Sequence, residues 1–343
     1  MTSTSHARVV RVAVVGYGLG GRVFHVPVAL EAGLQISHVV TADAERAAQV
    51  RRAVPGARVV DSLRALLGEA EPPDVVVVTT PSGLHAEHAL AVIDAGLALV
   101  VDKPLATDSA AARAVVEHAE RSGVPLTVYQ NRRWDDEQRT LRAVLDSGML
   151  GRVHRFERRW ERFRPTPQDR WKENDTVGGG LLLDLGSHLV DAAVELFGPV
   201  RSVYAEVRGL KTPADDDVFL ALTHEEGVLS HLTASGLAGA PGPRTRVLGD
   251  EGAFLVTSFE GEDSPFAVLD EGRAGHGGWL VRGAQRSAVP VAPGDHADFY
   301  RLVARWLREG GAAPVDPWDA VRTLDVLDAA RESARDGRVV TLD

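Results

Sequence analysis

Short apolar runs alternate with amphipathic stretches through the first third of the chain. Residues 9 to 16, VVRVAVVG, are rich in β-branched side chains and end in glycine, which predicts a buried strand. The runs at 36 to 42, 74 to 80, 98 to 104 and 126 to 131 have the same character, and segments rich in Ala, Leu and charge, with helical period, separate them. That alternation predicts βαβ units and a parallel, doubly wound sheet, with right-handed crossovers carrying helices to both faces.

From about residue 151 the texture changes. VHRFERRWERF, 153 to 163, alternates polar and apolar positions over a longer run, as expected of a strand open to solvent on one face. The runs at 202 to 210, 217 to 225 and 227 to 235 continue the pattern with turn signals between them, so a second, mainly antiparallel open sheet is expected. One helix over about 180 to 197 precedes these strands. Residues 296 to 311 and 317 to 337 have helical spacing, with Pro317 near a start and glycine at the ends, and are expected to pack back on the first domain. The stretches 236 to 243 and 272 to 295 read as loops.

The length of 343 residues exceeds what one core normally supports, so two domains are expected, with the boundary near residue 128. Residues 1 to 128 then form a Rossmann domain and 129 to 343 an α+β domain for substrate binding and oligomerisation, with a cleft between the two. A net charge of -10 argues against nucleic acid as a partner, since such binding relies on basic patches. The absence of cysteine removes disulfides, thiolate metal ligands and thiol nucleophiles, so redox chemistry has to come from a cofactor. No stretch reads as a signal peptide or approaches the roughly 18 apolar residues of a membrane span, and a cytoplasmic location without a membrane partner is expected.

Directly after the first strand, GYGLGG supplies Gly16, Gly18 and Gly21 in the spacing G-x-G-x-x-G. In that context Gly16 makes the tight turn, Gly18 lets backbone approach a pyrophosphate, and Gly21 lets helix and strand pack closely, with the unpaired N–H groups of the helix start facing the phosphates. An acidic residue about 20 positions later usually takes the ribose 2′-hydroxyl, and here the spacing falls on Ala42, flanked by Thr41 and Asp43. Without a carboxylate to repel it, a 2′-phosphate can be bound by Thr41 and by Arg46 one helical turn on, which favours NADP over NAD. Asp43 also fits the N-cap of the next helix.

VVTTPSGLHAEH, then VVDKP, then GGGLLLDLGSHLVD together resemble the Gfo/Idh/MocA oxidoreductases, and GYGLGGRVFH, YQNRRWD and RFRP…RWKE resemble the scyllo-inositol dehydrogenase-like branch of that family. The similarity runs over nearly the whole chain. Where the family usually has Glu-Lys-Pro, this chain has Asp102, Lys103 and Pro104, which keeps the charge and shortens the reach. The resemblance implies that Thr80, Pro81, Ser82 and His85 lie beside the nicotinamide ribose and that Lys103 enters the active site from a strand end, although His85 equally suits capping or packing. Tyr17, Leu19, Gly20, Thr79, Asp102 and Asn131 complete the candidate cofactor contacts on these motifs. The resemblance also implies a dimer or tetramer.

Asp184, His188 and Asp191 stand at i, i+4 and i+7 and so share one face of a helix too apolar to be exposed, which means they are partnered or line a cavity. Metal ligation is the rival to catalysis, but no further ligand is evident by motif and the resemblance implies a metal-free site. Oxidation of a hydroxyl needs a hydride acceptor, a proton acceptor and a positive charge beside the developing alkoxide. NAD(P) serves as the first, His188 suits acid/base work near neutrality, and Lys103 suits the oxyanion, with the proton acceptor open between His188 and Lys103. Asp184 is expected to bind a hydroxyl or hold the imidazole and Asp191 to take a second hydroxyl. Arg133, Arg170, Trp171 and Lys172 are placed to close over substrate or cofactor, or to form surface salt bridges. The expected activity is hydride transfer between NADP, or NAD, and a small polyhydroxylated substrate such as an inositol or sugar. An aldose or ketose reductase and a non-catalytic dinucleotide-sensing regulator are the alternatives.

Overall fold

A computed structural model describes residues 8–257 and 275–342. The chain divides into two compact units, the first comprising Met1–Ala106, Ala110–Tyr129 and His296–Trp318, the second Thr107–Ser109, Gln130–Asp295 and Asp319–Asp343. No helix of the described residues is long and apolar enough to cross a membrane.

In the first unit β1 (Arg11–Val15), β2 (Gln35–Val40), β3 (Arg58–Val60), β4 (Val75–Val78), β5 (Ala98–Asp102) and β6 (Leu126–Tyr129) form one sheet in the order β3-β2-β1-β4-β5-β6. Every pairing is parallel, as the βαβ alternation predicts. Helices cover both faces of such a sheet, which is why β4 is four buried valines in succession rather than an alternating run. Strand β3 has no counterpart in the sequence reading: three residues are too few to show a period. Helix Ala297–Glu309 belongs to this unit and packs Phe299 and Tyr300 against Tyr129 of β6, with ring centroids 4.9 Å and 5.7 Å apart.

The second unit is built on β7 (Val153–Glu161), β8 (Val200–Arg208), β9 (Asp217–His224), β10 (Leu229–Ser235), β11 (Thr245–Gly249), β12 (Ala253–Val256), β13 (His276–Arg282), β14 (Gln285–Pro290) and β15 (Val340–Thr341). Their order is β14-β13-β12-β11-β7-β10-β9-β8-β15. Only the central β7–β10 pair is parallel; the rest are antiparallel. The loop expected over 272 to 295 is corrected here: β13 and β14 form a hairpin, while 272 to 274 lie outside the described residues. Glycines at 277 and 278 and an almost wholly exposed β14 hide the alternation by which such a pair would be read. The expected helix over 180 to 197 is also more complex, since a π-helical turn, Leu182–Gly186, precedes the α-helix Ser187–Phe197.

Strand β7 shows why polar positions do not always face water. Phe156, Arg158 and Trp160 alternate on its inward face and all three are buried. Arg158 donates from Nη1 to Gln138 at 2.7 Å and from Nε to Thr245 at 2.9 Å, and its Nη2 lies 3.6 Å from Glu137. Arg244 meets the same carboxylate at 3.1 Å and Thr245 donates to it at 2.5 Å. Burial works against the charge of Glu137, but Arg158, Arg244 and the Thr245 hydroxyl overcome it and hold the carboxyl down at about 2, from an ordinary 4.5. A carboxyl depressed on folding contributes stability that is present above its unfolded value and lost as pH falls toward the folded one. Glu137→Gln is therefore expected to cost about 3–5 kcal/mol at pH 7, the scale for breaking a buried ion pair, with the gap to the unsubstituted protein narrowing as pH drops from 4.5 toward 2. Urea unfolding of both proteins at pH 7 and pH 3 checks this, and a gap unchanged between the two would show that the network is not its source.

Candidate functional site

In the first unit the chain leaves β1 into the glycine turn at the carboxyl edge of the sheet, beside the point between β1 and β4 where strand order reverses. Gly16 has φ 100° and sits so close to β4 that a Cβ would come within 2.9 Å of the Thr79 carbonyl oxygen. Its N–H donates to Val40 at 3.1 Å and its carbonyl accepts from the Thr79 hydroxyl at 2.9 Å, so the turn is stapled to the ends of β2 and β4. A Cβ on Gly21 would run into the Gly16 carbonyl. Around Gly18, by contrast, a Cβ would meet nothing within 4 Å. Two of the three glycines thus serve packing, and the third leaves backbone open, which is the cradle a dinucleotide phosphate requires. Between them Tyr17 is buried and Leu19 is exposed, and Gly20 opens a π-helical turn, Gly20–His25.

Thr41 and Ala42 follow β2. Asp43 caps the next helix, accepting from the Arg46 N–H at 2.8 Å, and its own N–H donates to Thr41 Oγ1 at 3.3 Å. Beyond β4 the Thr80 hydroxyl lies 3.1 Å from His88 Nδ1, and Pro81 and Ser82 lead into a short 3-10 turn. His85 is buried, with Nδ1 2.7 Å from the Pro104 carbonyl oxygen and Nε2 2.7 Å from that of Thr80. Burial lowers its pKa. Both ring nitrogens face backbone carbonyls, and a neutral ring donates to one of them, an arrangement that suits packing of the helix start.

At the end of β5, Asp102 Oδ1 accepts from the backbone N–H of Lys103 at 2.8 Å, and the Lys103–Pro104 peptide is cis. Asp102 Oδ2 stands 3.4 Å from His25 Nε2, and His25 Nδ1 lies 2.5 Å from the Tyr300 hydroxyl. Burial opposes the charge of Asp102, yet His25 and then Lys103 hold its carboxyl below the ordinary range. Burial also pushes the Tyr300 hydroxyl well above its ordinary value, so it stays protonated and able to donate. His25, Tyr129 and Tyr300 carry no role in the sequence reading. The signals were the histidine closing GYGLGGRVFH and the tyrosine opening YQNRRWD, and nothing local ties them to residues 102 and 300.

In the second unit, Asp191 and Arg133 bind each other. Arg133 Nε and Nη2 grip Asp191 at 3.0 Å and 2.6 Å, while its Nη1 meets Asp319 at 3.0 Å. Burial raises the Asp191 carboxyl against the pull of Arg133, and the bidentate guanidinium keeps the pair together. Arg133 and Asp191, both expected at the substrate, thus meet each other's buried charge inside this unit. Asp184, on the π-helical turn, accepts from Lys172 Nζ at 2.7 Å. Lys172 lies over the ring of half-exposed Trp171, 5.8 Å from its centroid, and Arg170 pairs with Glu173. Asn131 is buried at the start of a 3-10 turn, Asn131–Trp134. His188 opens the α-helix and stacks on Trp160 of β7 at 5.8 Å, and the guanidiniums of Arg132, Arg162 and Arg244 lie 5.0, 5.6 and 4.8 Å from that indole. Trp160 is a further residue the sequence reading missed. Among the described residues no group of three or more His, Cys, Asp or Glu side chains is placed to hold a metal.

Residues 10–130 match the oxidoreductase family with an NAD-binding Rossmann fold, and residues 138–255 match the GFO/IDH/MocA C-terminal domain. Across 97% of its length the chain is 32% identical to scyllo-inositol 2-dehydrogenase (NADP(+)) IolW of Bacillus subtilis, covering 96% of that protein. The chain belongs to the Gfo/Idh/MocA oxidoreductase family. It is an NAD(P)-binding oxidoreductase, as the glycine turn and the Asp-Lys-Pro strand end imply. D-apiose dehydrogenase of Paraburkholderia graminis is 30% identical, over 90% of this chain and 84% of that protein. Among solved structures, the putative oxidoreductase yvaA of Bacillus subtilis is similar with a TM-score of 0.85 and 31% identity, over 97% of this chain and 98% of that one.

The different surroundings of the glycines make a testable contrast. Gly18→Ala is expected to change unfolding free energy by less than about 0.5 kcal/mol, as at an unobstructed surface position, while weakening dinucleotide binding about tenfold or more, or roughly 1.4 kcal/mol. Gly21→Ala is expected to lose stability and binding together. Isothermal titration with NADPH alongside urea unfolding separates the two, and an unchanged affinity in Gly18→Ala would rule out backbone approach at that turn.

Proposed function

We propose that this protein transfers a hydride between NADP and a hydroxyl or carbonyl carbon of an inositol or sugar-like polyol, with Lys103 and His188 as the catalytic pair. The observation that carries the reading is Lys103 at the end of β5, a buried strand of the sheet whose β1 leads into the open turn at Gly18. The relatives named for scyllo-inositol and D-apiose support the substrate class. Gly16 to Gly21 would hold the pyrophosphate, and Thr80, Pro81 and Ser82 the nicotinamide side. When bound, the nicotinamide supplies the hydride acceptor.

Lys103 contributes a fixed positive charge at the substrate oxygen, favouring the alkoxide as it develops. His188, stacked beside Trp160, takes the hydroxyl proton during oxidation and returns it during reduction. Lys172 and Asp184 form a polar pair on the same unit as His188 that suits binding a neighbouring hydroxyl. Lys103→Ala and His188→Ala are each expected to lower kcat for scyllo-inositol oxidation by about 10² to 10⁴-fold, while the Kd for NADPH moves less than about tenfold. A near-normal kcat in either variant would remove that residue from the mechanism.

The preference for NADP rests on Ala42 and on the commitment of Asp43 to the helix cap, which leaves Thr41 and Arg46 to meet a 2′-phosphate. The name of the Bacillus subtilis relative carries the same cofactor. NADPH should bind more tightly than NADH, and Ala42→Asp should flatten or reverse the order by repelling the phosphate. Equal affinities in the unsubstituted protein, measured by fluorescence titration, would overturn the assignment.

A further inference from the structure

His25 is fully buried in the first unit, with its ring 4.3 Å from that of Tyr129, and lies at the end of the π-helical turn that starts at Gly20. An apolar side chain would fill this space without the cost of burying an imidazole, so the ring's polar contacts are what distinguish it. There are two. The Asp102 carboxylate facing Nε2 favours a proton on that nitrogen, and Nδ1 is then free to accept from the Tyr300 hydroxyl. Asp102 uses its other oxygen to accept from the backbone N–H of Lys103.

We propose that His25 is a positioning residue for Lys103. Tyr300 sets the ring, the ring sets the Asp102 carboxylate, and the carboxylate sets the backbone from which the lysine side chain leaves the strand. The same carboxylate lies 3.0 Å from where a Cβ on Gly20 would stand, so glycine at that position leaves the carboxylate its place beside the turn. On the far side, His85 meets the carbonyl of Pro104, so the lysine is flanked by two anchored peptide groups. His25 touches no reacting atom in this scheme and acts only through Asp102 and the lysine. The inference rests on Lys103 being the catalytic cation.

Two substitutions of similar size separate positioning from packing. In His25→Gln the amide nitrogen reaches about as far as Nε2 and can face Asp102 as the ring does; in His25→Asn it reaches only about as far as Nδ1. Misplacement of a catalytic group by about 1 Å can cost on the order of 10²-fold, so His25→Asn is expected to lower kcat for scyllo-inositol with NADP⁺ by about 10- to 100-fold. The Kd for NADPH should change less than about threefold, and His25→Gln should recover most of the loss. In a Lys103→Ala background His25→Asn should cost nothing further, because residues acting as a unit are not additive. Tyr300→Phe, which keeps the ring and removes only the hydroxyl, should shift kcat the same way and serves if His25→Asn does not fold.

A second readout needs neither cofactor nor turnover. The lysines of this chain are Lys103, Lys172 and Lys211, so the rate at which an amine-acylating reagent labels Lys103 can be read by peptide mass spectrometry against the other two. His25→Asn should change the Lys103 rate and leave the others unaltered. Equal losses in the Asn and Gln variants, full additivity with Lys103→Ala, or an unchanged labelling rate would overturn the positioning role. A normal kcat in Lys103→Ala would instead overturn the catalytic reading of the lysine itself.

Discussion

Strands β1, β4 and β5 run in one direction and end on the same edge of one sheet, and the candidate chemistry of the first unit hangs from that edge. A parallel sheet exists only with helices over both faces, so its strand interiors fill with Val, Leu and Ile and polar groups are expelled to the ends. There the glycine turn, Thr79 and Asp102 meet within hydrogen-bonding reach of neighbouring backbone. The turn is rigid because Gly16 is pinned by two strands and Gly21 is pressed against Gly16, which leaves Gly18 as the one motif glycine with room beside it. The lysine is placed by the same logic, since the strand beneath it is buried and its next residues are tied down by His85.

A second constraint governs the other unit: a charge taken out of water has to be met. Arg133 with Asp191 and Asp319, and Glu137 with Arg158 and Arg244, all satisfy it inside the fold. The preference for arginine over lysine in these places follows from geometry, since a planar guanidinium serves two acceptors at once and also makes cation–π contacts, as three do within 5.6 Å of the Trp160 ring centre. The three lysines lie outside these networks, and Lys172 pairs with Asp184 nearer solvent. The residue types that look ready to bind a ligand are therefore also those the fold pairs with one another, as it does Arg133 and Asp191.

What can be read along the chain depends on how local its cause is. Strand runs bounded by glycine, the G-x-G-x-x-G spacing and the capping potential of Asp43 are properties of a few consecutive residues, and they identified the doubly wound sheet, the open turn and the cap from sequence alone. The family motifs singled out Lys103 and His188 as candidates. Strand β3 and the β13–β14 hairpin were not legible, because three residues show no period and an exposed edge strand shows no apolar face. Nor was the π-helical turn before Ser187, whose hydrogen-bond spacing has no compositional mark. His85 is open to two readings in sequence because packing and ligand contact ask for the same ring, and its contacts with the carbonyls of Thr80 and Pro104 are a product of the fold. The partnership of His25 with Tyr300 spans 275 positions, and that of Arg133 with Asp191 spans 58. Backbone geometry and hydrophobic period are fixed by neighbours in the chain, whereas the partner of a buried charge is whichever group the completed fold brings beside it.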